Sequence, residues 1–155
     1  MATTITNATL TVTLTESISL NGSEQGASNT LTIADVDEIS KRIVTIPTAE
    51  KTIIAMGTAI SNGTFIESDV RYIRITNKDD ANHVTLTFKD ENNSEFALKL
   101  DKGQSFIYNG DLAGGVVDTM DANGSALSLA LADLVDITAL ADTASVDLEI
   151  FVASA

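Results

Sequence analysis

The stretch that decides the fold is RYIRITNKDDANHVTLTFKDENNSEFALKLDKGQSFIY, residues 71–108. Four segments in it alternate apolar and polar residues, and this period of two is typical of half-buried β-strands. The apolar positions of the first three segments form one phase, which we expect to face the core: Ile73 and Ile75; Val84, Leu86 and Phe88; Phe96, Leu98 and Leu100. Gln104 to Tyr108 forms the fourth strand. Segments joined so closely favour a four-strand antiparallel meander over residues 71–108.

The connections within this stretch have the composition of turns. Asn77–Asp80 and Asp90–Ser94 are polar clusters, and Asp101-Lys102-Gly103 places a glycine where a left-handed conformation is needed. The dipeptide Asn-Gly, a strong turn signal, occurs four times in the chain, beginning at Asn21, Asn62, Asn109 and Asn123.

Further strand candidates lie on both sides of the meander, at Lys41–Ile46, Thr52–Ile60, Leu134–Ala139 and Val146–Val152. The count reaches eight to ten strands, which favours an all-β sandwich or barrel over a single exposed sheet. The chain shows no internal repeat and no linker, so residues 1–155 are predicted to form one domain.

The amino terminus contains the most regular alternation in the chain. In Thr9-Leu10-Thr11-Val12-Thr13-Leu14 the apolar residues occupy even positions and threonine occupies odd ones. The branched Cβ of threonine suits a pleated surface while its hydroxyl faces water. We therefore expect residues 1–20 to form an N-terminal strand or arm that adds to a neighbouring subunit's sheet during assembly.

Two segments fit this pattern less well. Ala34–Arg42 has Val36 and Ile39 three residues apart and acids before bases, which favours a short helix. Ala126–Ala132 fits a strand or a helical turn, and periodicity does not separate the two. Tyr72, Ile107 and Phe151 fall on the outward phase of their strands, so they are predicted to contribute to a subunit interface.

The charge is unevenly distributed. The chain has 22 acids and 9 bases, a formal charge of −13. Residues 1–40 carry five acids and no base, residues 41–102 carry nine of each, and residues 103–155 carry eight acids and no base. This balance predicts no nucleic-acid partner, because the chain would repel a phosphate backbone. The two acidic ends are expected to face solvent or a basic partner surface.

The sequence predicts neither a secretory signal nor a membrane segment. The opening MATTITNATL lacks a basic region followed by an apolar run, and no apolar run approaches the roughly 20 residues of a membrane helix. We therefore expect synthesis in a reducing cytoplasm.

The sequence has few of the features needed for catalysis or metal binding. There is no cysteine and one histidine, His83, and no G-x-S-x-G elbow accompanies it. The carboxylate pairs Asp79-Asp80 and Asp90-Glu91 lie in predicted exposed turns, whereas a general acid needs burial to raise its pKa. We predict no enzyme and no cofactor. Loose calcium binding at Asp79, Asp80 and Asn82, or at Asp90 and Asn92, is the alternative left open.

Four segments resemble small virion structural proteins of tailed bacteriophages, those of marine short-tailed phages above all. They are VRYIRITN (Val70–Asn77), HVTLTF (His83–Phe88), GQSFIYNGD (Gly103–Asp111) and DLEIFVASA (Asp147–Ala155). The resemblance implies a compact β-sandwich, most often a jelly roll, that assembles on a capsid or tail.

The function expected from this resemblance is that of a capsid decoration or cement protein on the surface of the virion. Its partners would be further copies of itself, as a homotrimer, and the major capsid protein of the same particle. A tail or receptor-binding component is the alternative within the virion. A carbohydrate-binding β-sandwich is the alternative outside the virion. The chain has only seven aromatic residues and no tryptophan, which leaves few rings for a sugar-binding site.

Overall fold

A computed structural model describes residues 4–60, 64–122 and 130–155. In these residues the regular structure consists of β-strands. They are β1 Ala8–Thr15, β2 Ser19–Leu20, β3 Ser23–Glu24, β4 Ser28–Val36, β5 Glu38–Ile46, β6 Lys51–Gly57, β7 Thr64–Ile66, β8 Val70–Asn77, β9 Val84–Asp90, β10 Glu95–Leu100, β11 Ser105–Asn109, β12 Leu134–Ala141 and β13 Val146–Ser154.

Nine of these strands, β5 to β13, form two sheets packed face to face, and their pairing is antiparallel except at β7. One sheet has the order β11-β8-β13-β5, and the other has the order β10-β9-β12-β6, extended by the short parallel strand β7. The pairing is nested: β5 pairs with β13, β6 with β12, β8 with β11 and β9 with β10. Nested pairing of eight strands over two sheets is a jelly roll, because it is the result of rolling up one long hairpin. The predicted fold class, an antiparallel β-sandwich of jelly-roll type, is confirmed.

The core lies between the sheets and uses the apolar phase that the sequence predicts. Ile73, Ile75, Val84 and Leu86 are buried, as are the inward residues of β12 and β13. At the centre, the ring of Phe88 stacks on Phe96, with 4.8 Å between ring centroids, and contacts the rings of Phe106 and Tyr108. This aromatic cluster joins β9 and β10 of one sheet to β11 of the other.

The predicted meander over residues 71–108 is wrong in its pairing, although all four strands exist. β8 and β11 pair in one sheet, whereas β9 and β10 pair in the other. The connections at 78–83 and 101–104 therefore cross between the sheets. A short loop spans either distance, because an extended residue covers about 3.3 Å and the sheets are only about 10 Å apart. The alternation within each strand is the same for both pairings.

Asn77 fixes both crossings. Its buried amide Nδ2 donates hydrogen bonds to the carbonyl oxygens of Asn82 (3.0 Å) and Leu100 (3.2 Å), and its Oδ1 accepts one from the backbone N–H of Asp79. Its backbone exchanges two further hydrogen bonds with the loop at 101–104. Asn77 therefore ties the end of β8 to both loops that cross between the sheets.

The helix predicted over Ala34–Arg42 is wrong. The chain runs through the end of β4 and into β5, with Asp35 in a left-handed conformation at φ 60°. Val36 is buried against the first sheet, and residues from Glu38 onward pair with β13. The burial of Val36 and the pairing of β5 with β13 stabilise extended backbone here. Together they outweigh the weak helical spacing of Val36 and Ile39. The segment Ala126–Ala132 lies, except for its last three residues, outside the described residues.

Candidate assembly surface

The amino-terminal part of the chain folds into a two-stranded ribbon, which we define as residues 8–36. β1 pairs with β4 along its whole length, and a register shift between Ala8 and Leu10 marks an irregularity at the base. β2 and β3 close the tip through a turn at Asn21-Gly22, where both residues have positive φ angles of 51° and 80°. Positive φ at both central positions is what a type I′ hairpin turn requires, and Asn-Gly satisfies it.

The base of the ribbon packs on the outer face of the β11-β8-β13-β5 sheet. Buried Ile33 and Val36 contact buried Tyr72 and Ala153 in a second, smaller core, and the rings of Tyr72 and Phe151 meet edge to face with centroids 6.0 Å apart. Half-buried residues complete it: Leu10, Val12, Leu31, Ile107 and Phe151. Tyr72, Ile107 and Phe151 do lie on the outer face, as their phase predicts. The chain's own ribbon covers Tyr72 and part of Ile107 and Phe151, which also line an open groove, so a subunit interface at these residues stays a prediction.

The predicted assembly residues divide between the two faces of the ribbon. Leu10 and Val12 face the sheet, whereas Thr9, Thr11 and Thr13 are exposed. Thr11 and Thr13 lie opposite the threonines of β4, and hydrogen bonds join Thr13 to Thr30 (3.4 Å) and Thr15 to Ser28 (3.1 Å) between side-chain oxygens. The solvent face of the ribbon is therefore a ladder of hydroxyl groups.

Sequence reasoning missed the partner strand. Asn29-Thr30-Leu31-Thr32-Ile33 has the same period of two as β1, with the apolar residues in the phase that faces the sheet. That alternation, which begins seven residues after the Asn21-Gly22 turn, is the signal from which a hairpin with β1 could have been inferred.

The ribbon covers the sheet only partly beyond its base. A groove of about 450 Å³ runs along β1 from Leu10 to Leu14, with Tyr72, Arg74, Ser105, Ile107 and Phe151 of the sheet as its other lining. A second groove of about 240 Å³ lies beneath the ribbon between Leu31, Ile107 and Asn109. Both linings are mainly apolar.

The tip of the ribbon carries exposed apolar side chains. Leu14, Ile18 and Leu20 are 53%, 55% and 61% exposed. The Glu24 carboxylate holds this tip together, because its Oε1 accepts hydrogen bonds from the N–H groups of Gly26 (2.9 Å) and Ile18 (3.1 Å). These bonds lower the pKa of Glu24 below its usual value.

An ion pair borders the larger groove. Arg74 Nη2 lies 2.7 Å from Glu149 Oε1, and the Arg74 guanidinium lies 6.0 Å from the centre of the Phe151 ring. The hydrogen bond from Arg74 lowers the pKa of Glu149, and Lys41, 3.9 Å away, contributes in the same direction. Glu149 belongs to the carboxyl-terminal segment, which contains no base. The bases beside it, Arg74 and Lys41, come from the middle segment and are placed there by the fold.

The residues considered for catalysis and calcium binding have structural partners. His83 Nδ1 lies 3.4 Å from Asp142 Oδ2, but no serine hydroxyl is hydrogen bonded to His83 within the described residues. Asp79 accepts hydrogen bonds from the N–H groups of Ala81 and Asn82, which lower its pKa. Asp90 accepts hydrogen bonds from the N–H groups of Asn92 and Ser94. These carboxylates build turns.

The described residues also contain neither a cluster of metal-ligating side chains nor a membrane-spanning helix. No group of three or more His, Cys, Asp or Glu side chains there is placed to hold a metal ion. Over the same ranges, no helix has the length and apolar character needed to cross a membrane. All seven aromatic side chains of the chain lie in the described residues and are buried or half-buried.

Comparison with known proteins shows distant structural similarity only. No protein-family model and no curated protein matches the chain. One similar solved structure is a chain from the disulfide-linked pili that form Bacillus endospore appendages. It has 13% sequence identity and a TM-score of 0.41, over 76% of this chain and 84% of that chain. The candidate function therefore rests on the geometry of this chain.

Proposed function

We propose that this protein is a structural component of a tailed-phage virion, a decoration or cement protein that stabilises the head through protein–protein contacts. Its partner would be the major capsid protein, and it would lie on the capsid surface. The jelly-roll fold suits this role, as does a ribbon that extends an apolar tip from a strongly acidic body. The resemblance of four of its segments to small virion proteins supports the same assignment.

The exposed tip of the ribbon is the observation that carries the proposal. Ile18 and Leu20 place apolar area in water at the end of a two-stranded arm, where each is more than half exposed. Burying one such side chain contributes about 1.5–3 kcal/mol. Burial of this tip would therefore contribute most of the binding free energy with a partner. We infer that the tip enters an apolar recess between capsid subunits.

The test compares heads assembled with and without this protein. Heads from a phage lacking the gene are mixed with the purified protein, and binding is measured by co-sedimentation. The double variant Ile18→Ser/Leu20→Ser should lose most of its binding, because the two side chains that enter the recess become polar. Leu112→Ser is the matched control, since Leu112 is 62% exposed but lies in the loop after β11. Equal binding by the double variant and the control would contradict the role of the tip.

Electron cryo-microscopy of the complete particle tests the location. Density for the jelly roll on the head surface is the expected result. Density on the tail would contradict the decoration role and support the tail component instead. Binding to glycans but not to particles would contradict both.

A further inference from the structure

The edge of β1 that faces away from β4 is unpaired within the part of the chain that the structure describes. β1 pairs with β4 on one side, and no other strand among the described residues pairs with it. Eight residues of extended backbone thus present unpaired N–H and C=O groups, which is a template for adding another strand. We propose that a second copy of the chain fills this edge, with the two β1 strands paired antiparallel about Val12. The inference rests on the assembly role proposed above and names the partner of β1.

The sequence of β1 reads the same in both directions about Val12. From Thr9 to Thr15 it is TLTVTLT. Antiparallel pairing about a two-fold axis at Val12 therefore places Leu10 opposite the second copy's Leu14, and Thr11 opposite its Thr13. Apolar residues then lie opposite one another on the face toward the sheets, and threonines lie opposite one another on the solvent face. Cross-strand pairs of both kinds stabilise a sheet. The result is a four-stranded sheet in the order β4-β1-β1-β4.

Charge favours this edge over the other free edges. β1 contains no charged residue and no proline, which are the residues that usually protect an exposed edge. The edge strand β5 carries Glu38, Lys41 and Arg42, and the edge strand β10 carries Glu95 and Lys99. Two copies with a charge of −13 each repel one another, so a self-association edge must keep like charges apart. The first acid beyond β1, Glu16, would lie opposite Ala8 in this register.

Two further free edges, β11 and β4, are less suitable, and β4 also carries Asp35. β11 has five residues, which gives few backbone hydrogen bonds. Self-pairing of β4 about its Leu31 would place Asn29 opposite Ile33, a polar residue against an apolar one. The symmetry is therefore a property of β1 in particular.

The larger groove leaves room beside this edge. It follows β1 over Leu10–Leu14, and its floor on the sheet includes Ile107 and Phe151. A second β1 strand would lie along it and cover Leu14, which is half exposed in one copy. A two-fold pairing closes at two chains, so this inference predicts a dimer in place of the trimer expected from the resemblance.

The test uses three double variants of the purified chain and requires no capsid. Thr11 and Thr13 point to solvent, so charges placed there leave the packing on the sheet intact. In Thr11→Lys/Thr13→Lys the antiparallel register sets lysine against lysine twice, and the dissociation constant of the dimer should rise roughly tenfold or more. In Thr11→Lys/Thr13→Glu the same register sets lysine against glutamate twice, and the dimer should persist. Thr30→Lys/Thr32→Lys places two lysines on β4 as the matched control and should also leave the dimer intact.

Sedimentation equilibrium gives the mass of each variant, and circular dichroism confirms that each is folded. A wild-type monomer or trimer, or a dimer that survives Thr11→Lys/Thr13→Lys, would overturn the inference. So would loss of the dimer in Thr11→Lys/Thr13→Glu, because that result indicates another register. These outcomes are separate from the function test: a dimer that fails to bind heads would contradict the decoration role and leave the β1 pairing standing.

Discussion

Asn77 shows how much one buried polar side chain can organise in a jelly roll. It lies where the chain leaves one sheet, and its amide holds the carbonyl oxygens of both loops that cross to the other sheet. A buried amide is stabilising when all its hydrogen bonds are made, since an unsatisfied buried group costs about 1–3 kcal/mol. In the sequence, Asn77 is indistinguishable from the other residues of a polar turn. Its role depends on Leu100, which is 23 residues away.

Replacing Asn77 with alanine should destabilise the fold by about 2–4 kcal/mol, because the buried carbonyl oxygen of Leu100, the half-buried carbonyl oxygen of Asn82 and one N–H lose their partner. Urea denaturation followed by fluorescence or circular dichroism measures the free energy of unfolding. Asn92→Ala, in the exposed loop between β9 and β10, is the control and should change it by less than about 0.5 kcal/mol. A similar loss in both variants would show that Asn77 has no special role in the crossings.

At the level of elements, the ribbon behaves as a separate layer on the sandwich. Its base is held by a small core of its own, and its tip extends away. Removing residues 1–15 would therefore do more than remove an assembly arm, because β4 would lose its only described partner strand and the outer face of the sheet would be uncovered. Point substitutions separate the two roles better than a deletion does.

Ile33→Ala should loosen the ribbon without unfolding the sandwich. Truncating a buried isoleucine costs about 2–5 kcal/mol, and local stability governs local hydrogen exchange. The amides of β1 and β4 should then exchange at least ~30-fold faster, while those of β8, β9 and β13 keep their protection.

Ile43→Ala is the matched control, since Ile43 is 63% exposed whereas Ile33 is 1% exposed. Hydrogen exchange measured by mass spectrometry resolves both regions. Faster exchange throughout the chain in Ile33→Ala would show that the ribbon and the sandwich unfold together.

At the scale of the whole molecule, folding redistributes the charge that is segregated along the chain. β13, from the base-free carboxyl-terminal segment, lies between β5 and β8, so Glu149 meets Arg74 and Lys41. The predicted acidic ends are therefore not separate regions of the fold. The excess of acids remains, because 22 acids face only 9 bases, and local pairing leaves the net repulsion largely in place.

Salt should therefore stabilise the protein. Screening weakens both the few surface ion pairs and the general repulsion, but surface pairs contribute only about 0–1 kcal/mol each, so the reduced repulsion outweighs their loss. Raising NaCl from about 0.02 M to about 0.3 M, where the Debye length falls below ~8 Å, should raise Tm by a few degrees.

Differential scanning calorimetry measures this effect. Most of the gain should come below about 0.3 M, since screening saturates there, whereas an effect of salt on water would keep growing with concentration. A lower Tm in salt would show that the ion pairs, the Arg74–Glu149 pair among them, outweigh the repulsion.

The sequence predicts much of the fold and less of the assembly surface. The inward phase of β8, β9 and β10 and the boundaries of most strands follow from alternation, which is a local property. The two threonine-rich strands differ in this respect: β1 is apparent from its alternation, whereas β4 overlaps a segment that favours a helix by spacing. The cover over Tyr72 and Phe151 was not predictable from their own strands, because an outward phase does not specify what lies outside.

By itself, the sequence of this protein determined which side chains enter the core, since the pleat of a strand sends successive residues to opposite faces whatever the strand pairs with. It also determined the symmetry of β1 about Val12, which is a property of residue order. Only the tertiary structure decided which sheet each strand joins and that the ribbon covers the outer face of one sheet. The reason is that a loop of a few residues leads equally well to a neighbouring strand or across the sandwich, and the choice depends on contacts between residues far apart in the chain.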